Sequence, residues 1–165
     1  MTVTIAMAWV EGRNLVHLID EFVALVDGPR SGADPALARL TPVAYPDDDD
    51  AAAEFRRSTG DELFERRRTD ALAMRDDLRE FDVVVDVDDE GRDLLAPRKF
   101  EVDPAHVDAW MRTLAAIRLV VASRLGVDHD DRHEADDPRF HVYDWLGYRL
   151  EDLIERADAA DDATA

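Results

Sequence analysis

The 165-residue sequence contains no cysteine. That excludes a disulfide, a thiolate nucleophile, a zinc–thiolate site and a thiol redox switch within this chain. Positive charge is scarce. Twenty basic residues, of which only Lys99 is a lysine, face 39 Asp and Glu, for a net charge of -19. Such a chain repels DNA phosphates and anionic lipid, so direct nucleic-acid binding and a membrane-surface role are set aside. Long apolar runs are missing too. The longest, Leu114 to Ala122, is interrupted by Arg118 and falls short of the roughly 20 residues that cross a bilayer. No positive residue precedes the apolar stretch of MTVTIAMAWV, and Glu11 follows at once, which reads as no secretory signal and a cytoplasmic location. GxSxG, a Gly-rich phosphate loop, HExxH and paired zinc-ligand spacing are also absent.

What is present suits one folded domain. The apolar fraction of 46% is ordinary for a globular chain. A chain of this size buries about 70% of its extended surface on folding. Val3, Ile5, Met7 and Trp9 alternate, and Glu11 to Asn14 offer turn residues before Leu15, Val16 and Leu18. This predicts a short β-hairpin leading into a helix over 19–26, with one helix from Leu15 as the competing reading. Asp34-Pro35 opens a short helix. Asp47 to Asp50 place negative charge at the start of a helix holding 51–57. Thr59 with Glu62 forms a capping box, which predicts a new helix running to about Phe81.

Val83 to Val87, the turn at Asp88 to Gly91, and Lys99 to Val102 read as a second hairpin. Asp103-Pro104 opens the clearest helix, with Val107, Trp110, Met111, Leu114, Ile117, Val121 and Leu125 at spacings of three and four, ended by Gly126. Asp137-Pro138 opens the last helix, with Phe140, Tyr143, Leu146, Leu150, Leu153 and Ile154 inward. The predicted fold is mainly α: a compact helical domain of five or six helices with one or two small β-hairpins. It spans 1–158, and 159–165 form a frayed acidic tail.

Few residues carry chemistry by type and spacing. His129 and His133 lie four apart with Asp130 between them, and would hold a divalent metal only if the segment were helical. The segment follows Gly126 and precedes Asp137-Pro138, so it reads as a solvated acidic loop; no metal or other cofactor is expected. Arg66, Arg67 and Arg68 form the only basic run. Between Glu54 and Glu80, seven Arg against eight acidic residues leave a charge of -1, the least repulsive surface on the molecule for an acidic partner. Its plain alternative is intrahelical pairing, such as Glu62 with Arg66. Trp145 sits one residue off the Tyr143–Leu146 stripe, where partial exposure at an interface would be useful. Arg118 projects from a mostly apolar helix and needs an acceptor, and Asp144 is a natural partner for it or for Arg57. That predicts a polar pin between helices; a polar pocket at the same junction is the alternative.

Three segments carry a resemblance. They begin at Asp34 (DPALARLTPVAYPDDDDAAAEFRRSTGDEL), Ala109 (AWMRTLAAIRLVVASRLGV) and Val142 (VYDWLGYRLEDLI). The phrases Ala44-Tyr45-Pro46, Glu54-Phe55-Arg56-Arg57 and Tyr143-Asp144-Trp145-Leu146-Gly147 are specific in combination. The chain resembles the AosR-like actinobacterial family, long catalogued only as a domain of unknown function. The resemblance implies a transcriptional regulator linked to oxidative stress, sensing redox state through cysteines and acting with a sigma factor. It also implies a genomic neighbourhood with a Clp protease adaptor and a deconjugating peptidase. This chain departs from that picture, because it has no cysteine and lacks an arginine-rich start. Regulation through a protein partner survives the departure.

The leading reading is thus a non-enzymatic regulatory or adaptor protein. Its expected partner-binding residues are Tyr45, Phe55, Arg56, Arg57, Arg66, Arg67, Arg68 and Trp145. A sigma factor or Clp-related component is the partner that the resemblance implies. An enzyme with a His and carboxylate site is the alternative, and a structural, homo-oligomeric domain the third.

Overall fold

The computed structural model describes residues 2–30, 34–41, 44–83, 93–127 and 132–163. The N-terminal alternation forms a strand, β1 (Val3–Ala8), with Val3, Ile5 and Met7 inward. Its partner is not adjacent in sequence. β1 pairs antiparallel with β2 (Pro97–Val102), Val3 opposite Val102 and Ala8 opposite Pro97. Lys99 to Val102 is therefore a strand as predicted, but its partner is β1. Of the predicted segment 83–91 only Val83 is described, and the remainder lies outside the described residues.

The predicted N-terminal hairpin is replaced by a helix. α1 (Trp9–Asp27) begins directly after β1, and Glu11 to Asn14 are its first turns. The Glu11 carboxylate accepts the Ala8 backbone N–H at 2.9 Å, closing the helix end that the sequence offered as a turn. Gly12 is there for contact, not for turning: a Cβ on it would overlap the Phe81 ring.

α2 (Pro35–Arg39) starts as predicted, with the Asp34 carboxylate accepting from the Ala36 N–H. α3 (Asp49–Asp77) is capped by Asp48, and the acidic run supplies its first turn. The predicted break at Thr59 is absent. Thr59 Oγ1 and Ser58 Oγ both donate back to the Phe55 carbonyl, satisfying themselves inside one 29-residue helix. Its buried residues are Gly60, Phe64, Ala71 and Met74.

α4 (Val107–Leu125) matches the predicted periodicity, entered by a 3-10 turn at Pro104–His106 and closed by Gly126 at φ 74°. Left-handed backbone at that position favours glycine. α5 (His141–Asp162) also follows a 3-10 turn, Pro138–Phe140. Two details of it differ from expectation. Residues 159–162 are helical rather than tail, and Ile154 faces out while Arg149 faces in. The core holds Leu15, Ile19, Leu114, Leu146 and Leu153 with the ring cluster Phe81, Phe100 and Trp110. A mainly α domain with one small antiparallel sheet is the result. Among the described residues, no helix is long and apolar enough to cross a membrane.

Candidate functional site

The residues expected to form one docking face occupy three places. Trp145 lines a groove of about 550 Å³ between α1 and α5, with Leu18 and Val142 as its apolar walls and Asn14, His17 and His141 at the edge. Val142 is 45% exposed, a large share for a valine on a helix. Trp145 is held in place. Its Nε1 donates to Glu11 Oε1 at 2.8 Å, and the same oxygen accepts from Arg149 Nη2 at 2.6 Å. Arg149 Nη1 donates to the Ala6 carbonyl at 2.9 Å. One carboxylate thus joins α1, the end of β1 and α5.

Burial works against ionisation of Glu11. Hydrogen bonds from Arg149, the Ala8 backbone and Trp145, together with the guanidinium's field, outweigh it and hold the carboxyl below its usual range. Sequence reasoning missed both partners. Arg149 lies three after Leu146 and four before Leu153, and a lone arginine on that apolar stripe was the available signal.

Tyr45, Phe55, Arg56 and Arg57 gather at a second cleft, of about 540 Å³, between α2 and the first half of α3 and close beside it. Tyr45 has φ 56°, is 57% exposed, and meets Phe55 edge-on at 6.2 Å. Arg57 pairs with Glu54 at 2.7 Å. Arg30 lies 4.3 Å over the Phe64 ring and pairs with Asp61 at 3.2 Å. Arg56 has no hydrogen bond or ion pair among the described residues.

The basic run splits by helical geometry. Arg66 turns to Glu62 at 3.5 Å and Arg68 to Asp27 at 3.1 Å. Arg67 points inward and donates to the Leu40 carbonyl at 2.8 Å. Arg66 and Arg67 line a third cleft, between α3 and α4. Four of the five candidate arginines therefore have internal partners, which weakens an arginine-rimmed docking face.

A family model described as a domain of unknown function, DUF2017, matches residues 2–157. The chain belongs to this family. No curated protein and no solved structure matches it.

The polar pin of this DUF2017 domain takes a different form from the one predicted. Asp144 pairs with His133 at 2.8 Å, while Arg118 Nε donates to the Tyr143 carbonyl at 3.3 Å and its guanidinium lies 3.9 Å over the Tyr143 ring. Gly147 leaves room for it, since a Cβ there would come within 3.2 Å of Arg118 Nε. Arg124 instead grips Asp34 with two bonds of 2.8 Å. Those bonds and the Ala36 N–H hold the Asp34 carboxyl down at about 2. A further junction ties α3 to α4, where Asp77 accepts from Trp110 Nε1 at 2.9 Å and from His106 at 3.1 Å.

Of the metal-ligand alternative, His129 and Asp130 lie outside the described residues. His133 stacks on Phe140 with ring centres 4.0 Å apart. Among the described residues, no three His, Asp or Glu are grouped to hold a metal ion.

Proposed function

We propose that this chain is a non-enzymatic regulatory or adaptor protein that binds a basic, amphipathic helical segment of another protein in the α1/α5 groove. The groove itself carries the reading. It is apolar, and its aromatic side, Trp145, is fixed before any partner arrives by a bond to a carboxylate that is itself fixed. An aromatic anchor that is already ordered costs little further entropy on binding. A furrow between two helices suits the i, i+3, i+4 face of a third. The net charge of -19 selects a basic segment over an acidic one.

The resemblance to AosR-like actinobacterial regulators supports transcription or stress control as the setting, in the cytoplasm, with a sigma factor or a Clp-related component as the partner. The signal is then something other than thiol oxidation.

Val142→Glu tests this reading. It fills the groove wall with charge on an exposed position, so the fold survives, as a thermal transition checks. It also adds negative charge, which would strengthen any merely electrostatic attraction of a basic partner. Purified sigma factor and purified Clp component from the same organism are titrated against wild type and variant. At least one is expected to bind wild type and to lose about tenfold or more in the variant. Equal affinity for the two forms, or binding of neither component to wild type, overturns the reading.

A further inference from the structure

The α3/α4 cleft, away from the groove just discussed, holds an unusual set of groups. Its volume is about 330 Å³, with Arg66, Arg67 and Arg112 against a single lining carboxylate, Asp70. Both oxygens of Asp70 are taken by Arg112, at 2.8 and 3.0 Å, and Arg66 is turned to Glu62. Among the described residues, the half-buried guanidinium of Arg67 is left with the Leu40 carbonyl as its one acceptor, and its Nε is buried with no partner. Thr113 lines the same cleft. It is 2% exposed, and its hydroxyl also has no partner. A buried threonine on a helix ordinarily returns its hydroxyl to a carbonyl one turn back; this one does not. Two buried donors without acceptors in one cleft are costly unless something supplies the acceptors.

We propose that this cleft binds a small organic monocarboxylate, its carboxylate held by Arg67 and Thr113. One uncompensated positive charge calls for one negative charge, which favours a monoanion over a phosphate dianion. Phe22, Leu63 and Leu119, with Ala115 and Ala116, form the rest of the wall, so the acid carries a short apolar body. In a chain of charge -19, a cleft with local excess of guanidinium is the place where an anion can settle.

The probes are phenylacetate, octanoate and the neutral phenylacetamide, titrated into isotopically labelled full chain and followed by amide NMR. Phenylacetate or octanoate is expected to shift amides at residues 63–67 and 112–119, with the amide isostere at least about tenfold weaker, the loss that goes with one charge-assisted contact. Arg67→Met is expected to weaken the acid by about tenfold or more, and the near-isosteric Thr113→Val by about threefold, with the spectrum otherwise unchanged. Should Arg67→Met fail to fold, Thr113→Val decides alone. Shifts spread over the whole surface, equal binding of phenylacetamide, undiminished binding by the variant that decides, or no binding of either acid at millimolar concentration overturns the proposal.

Discussion

Arg149 on α5 and Arg67 on α3 both carry a guanidinium into the interior, each with a buried Nε that has no partner among the described residues, and they differ in the charge they meet. Arg149 is 8% exposed and meets the Glu11 carboxylate, with the Ala6 carbonyl taking a second nitrogen. Among the described residues, Arg67 meets only the Leu40 carbonyl, and burial pulls its pKa down while the field of nearby Asp70 raises it. Desolvating a charge costs several kcal/mol, and an opposite charge in good geometry offsets most of that. By charge, Arg149 is matched by Glu11 and Arg67 is not. The contrast separates a charge that holds helices together from one that awaits a ligand.

Three experiments test the contrast, beginning with the largest effect. Arg149→Met strands Glu11 beside an unsatisfied Ala6 carbonyl. Because Glu11 is 31% exposed, the substitution is expected to cost ~2–3 kcal/mol in denaturant unfolding, and a loss under ~1 kcal/mol, the size of an exposed pair, would erase the distinction. Acid titration of stability comes second. Glu11 has a folded pKa below its unfolded one, so its contribution is fully present above the unfolded value near pH 4 and disappears as pH falls through the folded value. Wild type should therefore be more stable than Glu11→Gln at neutral pH, and the gap should close on acidification. A constant gap would mean that the charge on Glu11 contributes nothing. Asp34, titrating near 2, extends the same acid loss to lower pH in both proteins. The smallest effects belong to the α3/α4 cleft. Without ligand, Arg67→Met should change stability by less than ~1 kcal/mol, and Thr113→Val should leave it level or raise it by ~0.5–1 kcal/mol, because each removes an unmet donor. Losses as large as that of Arg149→Met would place Arg67 among the structural pins.

Local order was legible where the signal was local. The three-and-four spacing of α4, its Gly126 end, the Asp34 cap and the acidic start of α3 all follow from short-range stereochemistry. Thr59 and Glu62 misled because a capping box is also a plausible mid-helix sequence. In the structure the Thr59 hydroxyl bonds back to the Phe55 carbonyl one turn earlier, and the helix runs on through it. The strand at Val3–Ala8 was visible, but its partner begins only at Pro97, and nothing in the alternation of a strand names its neighbour. The site suffered the same limit. Trp145 was singled out for its offset from the apolar stripe, yet the carboxylate that fixes it is 134 residues away. Arginines 66–68 looked like one basic face, but consecutive helix positions point about 100° apart, and the structure sends each to a different neighbour.

The clasp on β1 also bears on the order in which the molecule can be made. Ala6 is bonded by Arg149 and Thr4 by Arg156, contacts spanning 143 and 152 residues. A ribosome delivers Thr4 and Ala6 long before either arginine leaves the exit tunnel. Until then β1 is a strand with alternating apolar side chains and neither of these two carbonyls held. Its final seat is fixed only when α5 emerges, so the earliest part of the described chain waits on one of the latest.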